Sequence, residues 1–144
     1  IQVGSPFEIY NHPRTQFVAE FLGATNIVSG LADNGSMVAG SGDRIVLRTP
    51  DSGASTRPVT LGIRPENMHI SAEKGTFDNN VPAKVAGYVF RGTTHAYQLR
   101  VAALSEEILV YRRTANRLDG QEFSIGQDVW LGWQVENSFL VVKQ

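Results

Sequence analysis

The hydrophobic pattern changes period after Gly23, and this change restricts the fold more than anything else in the sequence. Before it, apolar residues recur three and four apart. Beyond it, β-branched and aromatic residues alternate with polar ones, and 12 of the 14 glycines fall after residue 25, roughly one per ten residues. Period-two alternation marks half-buried strands, and turn residues at this spacing fit a small all-β barrel or sandwich. Strands are expected near 26–32, 36–39, 44–48, 58–63, 67–72, 81–91, 95–103, 107–113, 128–134 and 138–143. The fold class is therefore all-β, a small barrel or sandwich of about ten short strands behind a short N-terminal helical lead. Residues 25–144 read as one β domain or as two interleaved small β subdomains.

The turns carry their own chemistry. Asn34-Gly35 suits the two positive-φ positions of a tight hairpin, and Gly40-Ser41-Gly42-Asp43 suits another reversal. Asn34-Gly35-Ser36 is also a glycosylation sequon, but no secretory signal accompanies it. Thr49 to Pro58 and much of Thr114 to Gly126 are loop by composition. No exact internal repeat is present.

Residues 1–24 form the lead. Ser5-Pro6-Phe7-Glu8 has the form of a capping box, and Pro13 ends a first short helix and starts a second. In the second, Phe17 with Phe21 and Val18 with Leu22 lie four apart on one stripe, and Gly23 is the stop. Such a stripe must dock on something apolar, and the β body is the expected surface. The first residue is Ile1 rather than Met, so the chain is expected to be a piece of something longer.

Charge and composition exclude several functions. Thirteen basic and 14 acidic residues give a formal charge of −1, with 5 basic and 6 acidic groups in residues 1–72 and 8 of each in 73–144. Neither half has the basic excess that supports nucleic-acid or anionic-membrane binding. No run of about 18 apolar residues exists to cross a bilayer as a helix. The absence of cysteine removes disulfides, thiolate metal sites and cysteine nucleophiles.

Catalytic constellations are missing as well. His12, His69 and His95 are too far apart to set two ligands on one helix face, no Gly-x-Ser-x-Gly elbow occurs, and Glu106 and Glu107 would point to opposite faces of a strand. The Gly40-Ser41-Gly42 run is no P-loop, because Lys74, Lys84 and Lys143 all lie outside the Gly-Lys-Ser/Thr context. Trp130, Trp133, Phe139, Tyr88, Phe90, Tyr97 and Tyr111 could stack single-stranded bases on an OB-like surface. Trp130 and Trp133 differ by three positions, however, so on one strand one fills the core while the other faces outward.

Two stretches carry a resemblance. Ile1 to Pro13, continuing through Phe17-Val18-Ala19-Glu20-Phe21-Leu22-Gly23 to Asn26, resembles the point where the ATP-binding subunits of ABC importers pass from nucleotide-binding domain to C-terminal regulatory domain. Leu61-Gly62-Ile63-Arg64-Pro65-Glu66 resembles the Gly-Ile-Arg-Pro-Glu segment of that family's TOBE domain, a small OB-like β module. Val85 to Val101, around Arg91-Gly92-Thr93-Thr94, and Gly126 to Trp133 are consistent with it. Phe7 departs from the acidic or polar residue common there. The ending, Val129 to Val142, is more similar to polyamine and iron importers than to sugar importers.

The resemblance implies a non-catalytic regulatory and dimerisation domain, folded as one or more OB-like barrels, with 1–24 as a helical connector from a nucleotide-binding domain upstream. ATP and Mg would bind only in that upstream domain, so no cofactor or metal is expected in this chain. The implied partners are a second copy of the subunit and, through the missing domain, the membrane permease. No nucleic acid and no direct membrane insertion are expected, and the implied location is cytoplasmic, peripheral to the inner membrane. A stand-alone OB-type module binding an oligonucleotide or a small anion is the rival. Arg64, Glu66, His95 and Trp133 are the candidate interface or effector contacts. For Arg64 and Glu66 the plainer reading is a structural turn set by Pro65; for His95, beside Thr93 and Thr94, it is a hairpin tip in solvent.

Overall fold

The computed structural model describes residues 25–40, 44–51, 53–113 and 122–142, and the helical lead at 1–24 lies outside the described residues. Ten strands follow one another: β1 (Asn26–Asp33), β2 (Ser36–Ala39), β3 (Ile45–Arg48), β4 (Arg57–Ile63), β5 (His69–Ser71), β6 (Asn79–Arg91), β7 (Thr94–Arg100), β8 (Ile108–Arg113), β9 (Asp128–Trp133) and β10 (Ser138–Val142). Each corresponds to an expected strand. Period-two patterning over short segments held because most strands bury one face only, as β1 and β2 do; β4 is the exception, buried at every residue from Val59 to Ile63.

The strands form two antiparallel five-stranded sheets, ordered β10-β4-β1-β2-β3 and β5-β9-β6-β7-β8. Their inner faces feed a single core. Val28, Leu47, Leu61 and Ile63 from the first sheet join Tyr97, Leu99, Val110 and Leu131 from the second in one cluster. Each sheet takes one strand from the other's stretch of chain. After β4 a 3-10 turn, Pro65–Asn67, sends β5 to pair with β9; after β9 a second, Val135–Asn137, sends β10 back to pair with β4.

This exchange reveals an approximate repeat. Leu61-Gly62-Ile63-Arg64-Pro65-Glu66-Asn67 and Leu131-Gly132-Trp133-Gln134-Val135-Glu136-Asn137 share Leu-Gly at the strand end and Glu-Asn in the 3-10 turn. In each copy the strand after the turn places a ring beside the glycine. Phe139 lies opposite Gly62, and a Cβ on Gly62 would fall within 2.5 Å of its ring. His69 lies opposite Gly132 and stacks on Phe77 (4.4 Å between centroids, 12° between planes), whose ring occupies the space of a Gly132 Cβ.

Neither sheet closes into a barrel, which corrects the expected closed form. The edge strands β3 and β8 have one strand neighbour each, and a buried asparagine from the opposite sheet meets each of them. Asn26 accepts from the Leu109 N–H at 2.8 Å and donates to the Leu109 carbonyl at 2.7 Å, while Asn79 accepts from Arg48 N–H at 2.8 Å and donates to its carbonyl at 2.9 Å. A carboxamide here does what a neighbouring strand's peptide would do, so buried edge groups are satisfied without closure. At the Asn34-Gly35 turn the two residues have φ of 52° and 79°, as the sequence demanded.

Candidate interface site

The polar chemistry concentrates at one end of the β5–β9 sheet. There the β6–β7 hairpin runs past β9: Ala86 is an extra residue in β6, and beyond it Tyr88 pairs with Tyr97 and Phe90 with His95. The bulge shifts the phase of β6, so that Tyr88 faces inward as Val85 does. Gly92 opens the hairpin turn at φ 66°.

His95 is buried, at 4% exposure, which overturns the solvent-exposed tip expected for it. The reason is its parity: His95, Tyr97 and Leu99 alternate onto the inner face of β7. The Tyr88 hydroxyl lies 2.7 Å from His95 Nδ1, and the Phe90 ring stands 4.9 Å from the imidazole. Burial, and secondarily the neighbouring Tyr97, pushes the Tyr88 phenol above its ordinary value, so the hydroxyl keeps its proton near neutral pH; which of the two atoms donates follows from the imidazole tautomer. The other ring nitrogen, Nε2, is buried and has no hydrogen-bond partner among the described residues.

Arg112 continues the same row on β8, opposite His95. Its guanidinium donates to the Ile70 carbonyl of β5 at 3.2 Å, pairs with Glu122 at 3.1 Å and lies 5.7 Å from the Phe123 ring. Phe123 in turn meets Tyr97 edge-on at 5.5 Å, and the Tyr97 hydroxyl accepts the Glu122 N–H at 3.2 Å. Arg112 thus acts as a strut across the gap between β5 and β8, where the sheet comes nearest to closing. The ion pair itself is half-exposed and contributes at most about 1 kcal/mol; the positioning of β5 is its larger effect.

Beside the strut opens a cleft of about 860 Å³. Glu66 from the 3-10 turn, His69 and Ile70 from β5, and Tyr111, Arg112 and Arg113 from β8 face it. Both charge signs are represented, and among the described residues no three His, Cys, Asp or Glu side chains are grouped to hold a metal ion. Such a cleft can seat a polar protein segment or a small charged molecule.

Of the four residues singled out in the sequence, only Glu66 faces the cleft. Arg64 is half-buried where the chain leaves β4 for the 3-10 turn, its carbonyl accepting the Asn67 N–H at 2.9 Å, which matches the structural-turn reading. His95 sits inside the neighbouring aromatic row. Trp133 is only 2% exposed in the core, so a partner cannot reach its ring; Trp130, three residues earlier, is the half-buried one, with the Lys74 ammonium 5.6 Å from its ring. Arg112 was missed, although a charge in phase with Ile108 and Val110 on β8 signals a polar group aimed inward at a sheet's end.

A second exposed feature lies on the outward face of the other sheet. Leu31 pairs with Val38 and Val38 with Val46, so three apolar side chains from β1, β2 and β3 form one cross-strand row that stays exposed. Pro58 extends the row onto β4, opposite Leu31.

Comparison with known proteins gives a consistent picture. The chain is 31% identical over 97% of its length to the spermidine/putrescine import ATP-binding protein PotA of Thermobifida fusca, and 31% identical over 98% to PotA of Treponema pallidum. It spans only 37% and 41% of those proteins. Among solved structures, the cytoplasmic molybdate-binding protein ModG, crystallised with molybdate bound, shares the fold at a TM-score of 0.65 over 81% of this chain and 95% of that one, with 13% identity. Residues 61–141 match the TOBE domain. That stretch runs from the first Leu-Gly turn through the second to the returning strand β10, and the chain belongs to the TOBE domain family.

Proposed function

We propose that this chain is the non-catalytic, C-terminal regulatory and dimerisation domain of the ATP-binding subunit of an ABC importer of the polyamine type. The observation that carries this reading is the similarity, along nearly the whole chain, to a part of two spermidine/putrescine import ATP-binding proteins that amounts to about two-fifths of each. ATP and Mg bind in the remainder of such a subunit, and residues 1–24 connect the two parts. The partners are a second copy of the subunit and, through the remainder, the permease, which places the domain in the cytoplasm beside the inner membrane. Among the described residues no helix is long and apolar enough to cross a membrane.

The geometry supports a mechanical role. Two sheets that exchange strands over one core cannot separate without breaking both, so the body moves as a unit. The Glu66–Arg113 cleft and the Leu31–Val38–Val46 row offer a polar and an apolar surface for the second copy or an effector. Sedimentation of the full subunit, with and without this region, tests the reading. A dimer that weakens on deletion is expected; a subunit that associates equally well without the region would overturn it.

The fold shared with a molybdate-binding protein favours a second reading, a module that binds a small anion. Titration of the isolated chain with molybdate, sulfate and a single-stranded oligonucleotide separates the two. Saturable micromolar binding in the absence of any partner would favour the module.

A further inference from the structure

β8 is an edge strand, and a cleft runs beside it. Leu109 donates its N–H to the Asn26 side chain and accepts from it at its carbonyl, so both of its backbone groups point away from β7. In an antiparallel pair this direction alternates along the strand. Tyr111 and Arg113, two and four residues further on, therefore point their N–H and carbonyl groups away from β7 as well. No described residue caps them as Asn26 caps Leu109, which leaves two open rungs. The other capped edge is shorter: β3 has four residues, Asn79 closes Arg48, and only Val46 is left open. Open strand edges recruit further strands unless they are blunted.

The cleft of about 860 Å³ is lined by residues 110–113 of β8 and by 68–70 on the β5 side. A strand residue fills about 160 Å³ at the rise, strand spacing and sheet spacing of β structure, so there is room for about five. We propose that β8 takes an extended segment of another protein as a further antiparallel strand over Tyr111 and Arg113, with an acidic side chain opposite Arg113 and a β-branched one opposite Tyr111. Main-chain pairing of this kind supplies affinity, and the side chains opposite each rung supply selectivity. The charge follows from what is already engaged. Arg112 holds Glu122 and the Ile70 carbonyl, whereas Arg113 has no ion pair among the described residues. An acid opposite Arg113 and a β-branched residue opposite Tyr111 are both favourable cross-strand pairs. A second copy of β8 does not fit. Tyr111 against Tyr111 runs Arg113 into the rung that Asn26 fills, Tyr111 against Arg113 sets Arg112 against Arg112, and Arg113 against Arg113 opposes like charges directly. Glu66 lines the same cleft and repels a polyanion such as a nucleic acid. The occupant is thus a foreign segment, and the site stands independently of the second copy proposed as dimer partner.

The probe is the peptide acetyl-Thr-Glu-Thr-Val-Thr-amide, in which antiparallel pairing sets Glu opposite Arg113 when Val stands opposite Tyr111. Amide resonances of the isotope-labelled 1–144 chain would be followed as the peptide is added to about 2 mM, a range in which millimolar sites fill. Saturable shifts are expected, largest at Tyr111 and Arg113 and small at Leu109, whose rung is already taken. N-methylation of the peptide's Val removes the donor to the Tyr111 carbonyl and should weaken binding about tenfold. Replacing the peptide's Glu by Lys should weaken it about fivefold, and Arg113→Glu in the chain should reverse the order of the two peptides. No saturable shift at Tyr111 and Arg113 overturns the proposal. An N-methylated peptide that binds equally well overturns it too, because the backbone is then not read. Glutarate or sulfate producing the same shifts would assign a simple anion site, and a single-stranded oligonucleotide producing them a nucleic-acid site; either overturns the added strand. Should Arg113→Glu unfold the chain, the two altered peptides against the parent chain decide by themselves.

Discussion

The β1–β4 and β6–β9 stretches are wired alike and end differently. Both begin with an asparagine that grips the far sheet's edge strand, and both end in Leu-Gly followed by a 3-10 turn carrying Glu-Asn. Their hairpin tips diverge. The β1–β2 tip is tied down on both sides, Asn34 N–H donating to the Gly53 carbonyl at 2.9 Å and Thr49 N–H to the Gly35 carbonyl at 2.8 Å. The β6–β7 tip projects, with nothing within 4 Å of where a Gly92 Cβ would stand, and beneath it lie Phe90, His95 and Arg112. The repeated residues are those that close the hydrogen bonding of the two sheets, and the unrepeated ones carry the polar chemistry. A shared frame with unlike ends is how one fold serves different binding roles.

The asparagines test the equivalence most severely. Asn26→Ala or Asn79→Ala leaves a backbone N–H and a carbonyl of β8 or β3 without its partner in a part-buried setting, at about 1–3 kcal/mol for each group left bare. Each variant is therefore expected to lose about 3 kcal/mol in urea denaturation, and the two losses should agree within about 1 kcal/mol. Asn26 has an additional contact, its Nδ2 lying 2.9 Å from Met68 Sδ, which tilts the larger loss toward it. A loss at one asparagine and none at the other would show that the two edges are not held alike.

The glycines sharpen the comparison at a smaller scale. An added methyl at Gly62 meets the ring of Phe139, nearly buried on β10, whereas at Gly132 it meets Phe77, half-buried in a loop and free to swing outward. Gly62→Ala should cost about 2 kcal/mol and Gly132→Ala about 1 kcal/mol, the range for overpacking. Thermal melting of both checks the order, and a reversed order would mean that the His69–Phe77 stack is the stiffer of the two.

The strands were legible because each carries period two over its own length: Val28, Leu47, Leu61 and Val110 could be assigned to the core from alternation alone. The Asn34-Gly35 turn was legible because few residue pairs adopt two positive φ values. Closure was not legible. Whether two edges meet or are capped depends on Asn26 and Asn79, which look like ordinary polar strand starts until Leu109 and Arg48 are found beside them. The repeat was hidden because only Leu-Gly and Glu-Asn survive between its copies. His95 was misplaced because the extended hairpin was read as a tip; alternation from Leu99 back through Tyr97 would have turned it inward.

The smallest effect tests the projecting end alone. Tyr88→Phe removes the hydroxyl bonded to His95 Nδ1 and should cost about 1 kcal/mol at neutral pH, since a buried ring nitrogen loses its partner. It should also change the alkaline limb. Because the folded-state value of Tyr88 lies above its ordinary 10.0, the unfolded chain releases this proton first as pH rises. The contribution is fully present below pH 10 and is lost as pH climbs through the folded value. As pH rises beyond 10.0 the stability of the parent chain should therefore fall more steeply than that of Tyr88→Phe in parallel urea titrations. Equal slopes would mean that the Tyr88 hydroxyl is as well solvated in the folded chain as in the unfolded one, and the projecting end would then be no drier than the tied tip of β1–β2.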